Sequence, residues 1–156
     1  MLRVASRRCG PFLSAPWPRC NVRDLSSLAK HDSLVGGRGE TVVDSYAKWG
    51  FTVSGVALPG AVLLLPKASM LFVPRALSEV TPQSLAVLTL LEAPVRMLVI
   101  GTGFLSQRPP AALRQWCDAR NMAVEALPTK HACSTFNFMV AENRPVAAIL
   151  FPPSDD

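Results

Sequence analysis

The sequence contains few of the residues from which most catalytic and metal sites are built. Its 156 residues include two histidines and four cysteines, and no cysteines have C-x-x-C spacing. No predicted helix or strand carries paired carboxylates. General acid–base, nucleophilic and metal-assisted catalysis need such groups at defined spacings. We therefore expect no catalytic residues, no metal and no cofactor, and a reducing compartment suits the few cysteines.

Long apolar runs are missing as well. The two longest, 56–65 and 85–100, are both interrupted by proline, and the first also by glycine and the second by charged residues. A membrane-spanning helix needs about 20 predominantly apolar residues. We expect no spanning helix, so any contact with a membrane would be peripheral.

The net charge of +5 is concentrated in the first thirty residues, which hold six bases and one acid, Asp24. Residues 31–156 hold ten bases and ten acids, so that part lacks the positive excess that binding a nucleic-acid backbone requires. The first segment is rich in Arg, Ser and Ala and has no continuous apolar stretch. This composition is typical of a mitochondrial transit peptide; a basic tail that binds an acidic partner is the alternative.

These features divide the chain into four parts. Residues 1–30 are the predicted transit peptide, and the polar, glycine-containing residues 31–41 are a linker. Residues 42–153 are long enough for one domain with an apolar core. Residues 154–156 are an acidic tail.

Within the domain, short β-prone stretches separated by glycine and proline come first, and strands then alternate with helices. The first half predicts an antiparallel meander, and the second half predicts a largely parallel sheet with helices packed on it. The predicted meander strands are 41–46, 50–54, 61–65 and 69–73. The later elements are a helix from Thr81 to Pro94, a strand 97–100, a helix opened by Ser106, Pro109 and Pro110 and closed by Asn121, a strand 122–127, a helix 130–142 and a strand 146–151.

The tripeptide Gly101-Thr102-Gly103 follows a predicted strand, as a dinucleotide-binding loop would. Ser106 stands where the third glycine of that fingerprint is expected, so the motif is incomplete. Two interpretations stay open. The glycines either permit a tight strand exit against a neighbouring helix, or they border an anion pocket at the N-terminus of the last helix. The further residues of such a pocket are Thr129, His131, Cys133 and Asn137.

Cys133 is the candidate nucleophile, because a thiol in the first turn of a helix can have a lowered pKa. His131 is two residues away, but side chains two apart on a helix point in different directions. Cys133 also shares the apolar spacing of Ala132, Phe136 and Val140, which predicts a small buried side chain.

Other polar residues have plain structural uses, as caps or as partners of backbone groups: Asp44, Ser45, Tyr46, Thr129 and Asn137. Trp49 and Trp116 follow the apolar spacing and are expected in the core. If either ring is exposed, it is a candidate partner contact, since tryptophan is enriched at interface hot spots.

Four stretches together resemble the Mth938-like α/β family, and its mitochondrial members most closely: VDSYAKWGFTVSG, LLPKASMLFVP, LLEAPVRMLVIGTG and MAVEALPTKHACSTFNFMVAENRPVAAILFPP. The resemblance implies one three-layer α/β domain on a mixed sheet, with no established catalytic activity. The corresponding signature positions are Asp44, Ser45, Tyr46, Gly101, Thr102, Gly103, Thr129, Cys133, Thr135, Phe136 and Asn137. The chain departs from the family pattern at Trp49, at Trp116 and at Met70-Leu71-Phe72.

The same resemblance implies a non-catalytic assembly factor for mitochondrial respiratory complex I, located in the matrix and loosely associated with the inner membrane. The implied partners are another small assembly factor and early complex I subunits. Two alternatives stay open: a ligand-binding or enzymatic domain that uses the Gly101–Gly103 pocket, and a structural subunit of another mitochondrial assembly.

Overall fold

The computed structural model of the protein describes residues 39–153. The predicted transit peptide, residues 31–38 of the linker and the acidic tail lie outside the described residues. Thr41 is buried, and its N–H donates to the carbonyl of Pro66 over 2.9 Å. Thr41, the last residue of the predicted linker, is therefore bonded to the domain.

Eight strands, two α-helices and two short 3-10 helices make up the described part. The strands are β1 (Val43–Ala47), β2 (Gly50–Val53), β3 (Val56–Pro59), β4 (Val62–Leu65), β5 (Ala68–Leu71), β6 (Met97–Thr102), β7 (Ala123–Leu127) and β8 (Val146–Phe151). The helices are the 3-10 helices Leu77–Glu79 and Pro82–Thr89, α1 (Ala111–Asp118) and α2 (Thr129–Ala141).

The strands form two sheets. β1, β2 and β3 make a small antiparallel sheet, and the other strands make a large sheet in the order β5-β4-β8-β6-β7. β6 is parallel to both β7 and β8, whereas β4 is antiparallel to β8 and to β5. The prediction of an α/β domain on a mixed sheet is confirmed.

The large sheet lies between two apolar cores because successive side chains of a strand point to opposite faces. On one face, Leu98 and Ile149 pack with Leu85 of the 3-10 helix and Leu113 of α1.

On the opposite face, Val99 and Leu150 pack with Phe136 of α2 and Phe51 of the small sheet. The domain therefore has three layers. The 3-10 helices and α1 form the first layer, the large sheet forms the second, and α2 with the small sheet forms the third.

The predicted meander is wrong in one respect, because its strands are divided between the two sheets. β3 was not predicted. Ser54 and Gly55 both have positive φ, at 48° and 78°, which is the backbone of a tight two-residue hairpin turn. This turn reverses the chain at once into β3. Gly60, with φ 79°, then separates β3 from β4, which joins the large sheet.

The predicted helix after Thr81 is also different in type. Leu85, Leu88 and Leu91 are three residues apart, which matches the 3.0 residues per turn of a 3-10 helix better than the 3.6 of an α-helix. Pro82–Thr89 is a 3-10 helix that ends well before Pro94. Its predicted apolar face is confirmed, since two of the leucines are buried and the third packs against the same core.

The remaining predicted elements lie close to their observed positions. The strand predicted at 97–100 continues to Thr102, and the last helix starts at Thr129 rather than Lys130. Asn121 has φ 53°, the left-handed conformation expected after α1. Within residues 39–153, no helix is long and apolar enough to cross a bilayer.

Phe136 and Phe138 provide a matched test of the packing of α2. Phe136 is fully buried and Phe138 is 59% exposed. Phe136→Ala is expected to lower the free energy of unfolding by about 3–5 kcal/mol, because it leaves a cavity between the sheets. Phe138→Ala is expected to change it by less than about 1 kcal/mol. Urea denaturation of the two variants measures both values, and similar losses would contradict the described burial.

Candidate functional site

The loop that follows β6 is held by the first residue of α2. Thr129 is fully buried, and its hydroxyl accepts the N–H of Gly103 over 2.8 Å and donates to the carbonyl of Phe151 over 2.7 Å. The Thr129 N–H donates to the carbonyl of Gly103 over 2.8 Å. One threonine therefore ties the ends of β6 and β8 to the start of α2, and we call these three bonds the threonine clasp.

Gly101 allows this close approach. A Cβ at Gly101 would lie 2.9 Å from Leu150 Cδ2, 3.1 Å from Thr129 Oγ1 and 3.2 Å from Ala132 Cβ. These distances are shorter than ordinary contacts of a Cβ, so a larger residue would require the Leu150 side chain to move and Thr129 and Ala132 of α2 to shift slightly. Gly103 serves a different purpose, because its φ of 95° is a conformation that L-residues rarely adopt.

The clasp lies where one of the two open interpretations placed an anion pocket. The N–H of Thr129 is bonded to Gly103, and those of His131 and Ala132 are directed at the carbonyl of Pro128 over 2.9 and 3.0 Å. Backbone donors at a helix N-terminus bind anions only where they point at free space. The structure brings the tripeptide and Thr129 together as a packed contact instead of a pocket.

His131, Cys133 and Asn137 do not converge on that loop as a reactive group. His131 is exposed, whereas Cys133 is buried. Burial raises the pKa of the Cys133 thiol to about 12. Burial, with a smaller effect of the neighbouring Asp118, raises the pKa of Cys117 to about 11. Both thiols are therefore protonated near neutral pH.

Asn137 connects α2 to the small sheet. Its amide oxygen accepts the N–H of Val43 and its amide nitrogen donates to the carbonyl of Val43, each over 2.9 Å. The side chain thus takes the place of a neighbouring strand along the free side of β1.

The other signature residues also lie within the framework. Asp44 Oδ2 accepts the N–H of Gly55 over 2.7 Å and so fixes the β2–β3 turn. Ser45 and Tyr46 lie on β1, half-buried and exposed respectively, while Thr135 is half-buried on α2 beside the buried Phe136.

A cleft opens on the other side of the Gly103 loop, with a volume of about 400 Å³. Its lining includes Thr102 and Gly103 of the predicted pocket, together with Arg75, Leu77, Phe104, Leu105, Gln107, Phe151 and Pro152. Thr102 shapes this loop: its hydroxyl donates to the carbonyl of Leu105 over 2.7 Å and accepts the N–H of Gln107 over 3.2 Å.

No pattern in the sequence indicates most of this lining. Arg75 follows β5 and Phe104 follows β6, and only the strand order brings these distant segments together. Ser106, predicted to open a helix, instead donates to the carbonyl of Ala126 over 3.1 Å. Within residues 39–153, no three histidine, cysteine or acidic residues form a group that could hold a metal ion.

The two tryptophans differ from each other. Trp49, in the β1–β2 turn, is 56% exposed, so its predicted place in the core is wrong. Trp116 is half-buried against the core, and the guanidinium of Arg120 lies 4.0 Å from its ring centre. Trp49 is therefore the more exposed of the two candidate partner contacts.

Comparison with known proteins gives the family context of this fold. Residues 43–151 match the family described as "Protein of unknown function (DUF498/DUF598)". A zebrafish (Danio rerio) protein named NADH dehydrogenase (ubiquinone) 1 alpha subcomplex assembly factor 3 is 33% identical over 150 residues, covering 96% of this chain and 82% of that protein. The human protein of the same name is 34% identical over 111 residues, covering 71% of this chain. The chain spans 60% of the length of the human protein.

Solved structures of bacterial proteins share the fold. A Bartonella henselae protein, described as an outer membrane protein, is 26% identical with a TM-score of 0.67, covering 73% of this chain and 96% of that one. A Bordetella pertussis protein described as a Mth938-like domain is 22% identical with a TM-score of 0.66, covering 78% and 91%.

The threonine clasp can be tested by removing its hydroxyl while retaining its shape. Thr129→Val leaves the N–H of Gly103 and the carbonyl of Phe151 without this partner, and each buried, unpaired group costs about 1–3 kcal/mol. Thr129→Ser keeps the hydroxyl and loses one methyl group, at about 1 kcal/mol. Urea denaturation should rank the valine variant as clearly less stable. A valine variant as stable as the serine variant would refute the clasp.

The buried thiols can be tested by their reactivity in a full chain that carries Cys9→Ser and Cys20→Ser. At about pH 8, where an exposed thiol is partly ionised, Cys117 and Cys133 are expected to react with an aromatic disulfide reagent only after unfolding. Their high pKa values and burial both slow attack. Rapid reaction of Cys133 in the folded chain would contradict this description.

Proposed function

This chain is a member of the DUF498/DUF598 (Mth938-like) family, and we propose that it is a non-catalytic assembly factor for mitochondrial respiratory complex I. It works through protein–protein contacts in the matrix, at or near the inner membrane. Its proposed partners are another small assembly factor and early complex I subunits. The support from comparison is the identity of about one third to proteins named as complex I assembly factors.

The proposal that the protein is non-catalytic rests on the contacts that the signature residues make. Thr129, Gly103 and Asn137 bond to the backbone of the chain itself, and Gly101 provides the space for that packing. A catalytic group must reach a substrate through a free hydrogen-bonding position. Here the signature residues form bonds and contacts within the domain, which supports a non-catalytic role.

Protein–protein contact is supported by the exposed apolar side chains. Trp49 is 56% exposed on the small sheet, and Phe104 and Leu105 are 69% and 68% exposed beside the cleft. Large aromatic side chains are enriched among residues that dominate binding energy. These positions are independent of the two buried cores.

The alternatives differ in their observable consequences. A ligand or anion site between the Gly101–Gly103 loop and α2 would compete with the bonds of the threonine clasp, whereas the cleft lined by Thr102 and Gly103 is open to a small molecule. A structural subunit of another mitochondrial assembly would remain with that assembly after purification, whereas an assembly factor leaves the mature complex.

Deletion of the gene is expected to lower the amount of mature complex I on native gels, and the wild-type chain should restore it. Trp49→Ser should restore less, with an unchanged thermal midpoint, because the ring lies in a turn outside the cores. Leu90→Ser, at a site that is 82% exposed on the opposite layer, is the control and should restore fully. Normal complex I after deletion would reject the proposed function.

A further inference from the structure

The edge strands of the two sheets differ in how they are protected from pairing with another chain. An edge strand presents a row of unpaired N–H and C=O groups, and proteins usually cover such edges or interrupt them with charges or proline. The two sheets have four edge strands, β1, β3, β5 and β7. The protection of each can be read from the described contacts.

Three of these edges carry a recognisable protecting feature. On β1, the Asn137 amide bonds to both backbone groups of Val43. On β3, Pro59 lacks an N–H and breaks the row of donors. On β7, Ser106 bonds to the carbonyl of Ala126, and Glu125 places a charge on the strand.

β5 has none of these features. Residues 68–73, Ala-Ser-Met-Leu-Phe-Val, contain no charge and no proline. Leu71 is 56% exposed and Val73 is 92% exposed. Among the described edge strands, β5 therefore has neither a charge, nor a proline, nor a side chain bonded to its outer backbone groups, and it lies on the large sheet, which is the central layer of the domain.

The register shows which backbone groups are free. β4 and β5 are joined by a two-residue turn, with Leu65 opposite Ala68, and just beyond β5 the N–H of Phe72 donates to Ala61 across the same pair of segments. Alternate residues of an antiparallel strand bond to the same neighbour. The N–H groups of Ser69, Leu71 and Val73 therefore point away from β4.

The side chains on this edge suit an added strand. Leu71 lies opposite Val62, and Ser69 opposite Leu64, so both are on the face that packs against α2. A strand placed beside β5 would cover Leu71 and Val73 with its own alternate side chains, and such cross-strand pairs stabilise a sheet. Main-chain bonds would supply affinity and these contacts specificity.

The charges select among possible occupants. Lys67 precedes the strand and Arg75 follows it, with no acid between them. A second copy paired antiparallel to β5 would bring Lys67 of each chain to the Arg75 end of the other, so a lysine and an arginine would meet at each end. Glu79, whose carboxylate accepts the N–H of Arg75 over 2.8 Å, would offset part of that charge. Like charges so placed are unfavourable. An occupant with acidic residues at its ends is the complementary one.

We propose that β5 is a docking edge that binds an extended segment of a protein partner by strand addition. The segment has apolar residues at alternate positions and acidic residues at its ends. This inference rests on the proposed function in one respect: the partner is a protein that the chain meets during assembly.

A synthetic peptide with alternating valine and threonine, flanked by glutamates, is the probe for this edge. In the isotopically labelled full chain, the amides of Ser69, Leu71 and Val73 should exchange rapidly, and the peptide should slow them by about tenfold or more through new hydrogen bonds. Leu71→Lys should abolish the slowing. Val56→Lys, on the edge strand β3 at a position that is 57% exposed, should leave it unchanged.

Several outcomes would overturn the inference. Amides already protected in the free chain would mean that the edge is covered. Absence of slowing by the peptide, or equal slowing in the two variants, would mean that the peptide does not bind at β5. Equal binding of a peptide flanked by lysines would mean that the charges do not select the occupant. Equal thermal midpoints of the variants establish that folding is unaffected.

Complementation of the deletion separates this inference from the proposed function. The wild-type chain and Val56→Lys should restore complex I, and Leu71→Lys should not. If all three restore it, the docking edge is wrong while the assembly role stands. If deletion leaves complex I unchanged, the assembly role fails, and the exchange experiment alone decides whether β5 binds an added strand.

Discussion

The arrangement of the domain depends on the hydrogen bonds of one group, the Thr129 hydroxyl. It bonds to the ends of two parallel strands that are far apart in sequence, Gly103 after β6 and Phe151 at the end of β8. α2 starts at this residue, so the bonds fix where the helix leaves the sheet. Phe136 then packs against the large sheet, and Asn137 holds the small sheet on the outside. Two of the three layers are positioned by this one helix.

Local sequence signals predicted most of the elements, whereas the contacts between distant segments were not predictable. The apolar run 146–151 and the spacing of Ala132, Phe136 and Val140 gave β8 and α2 nearly to the residue, because burial imposes those patterns. The Asn137 amide was expected to satisfy backbone groups, but its partner Val43 is 94 residues away. Strand order decides such pairs, and no spacing in the sequence records it.

The candidate site shows the same division. The sequence left open whether the tripeptide and Thr129 border a pocket or form a packed contact, and the structure shows a hydrogen bond between Gly103 and Thr129. The choice depended on distances of about 3 Å around Gly101, which composition cannot reveal. β3 was missed because its edge position leaves its side chains largely exposed, so it lacks the alternation that identifies a half-buried strand. The cleft and the open edge of β5 likewise appear only once the strands are ordered.

We infer that the signature residues hold the fold together and leave binding to the surface. Native-state amide exchange at Gly103 in the full chain is the decisive measurement, because that N–H is the donor to Thr129. Gly103 is expected to exchange only through global unfolding, with a protection free energy equal to the stability measured with urea. Exchange at the rate of an exposed loop, or a change in that rate on adding phosphate or nucleotide, would contradict it.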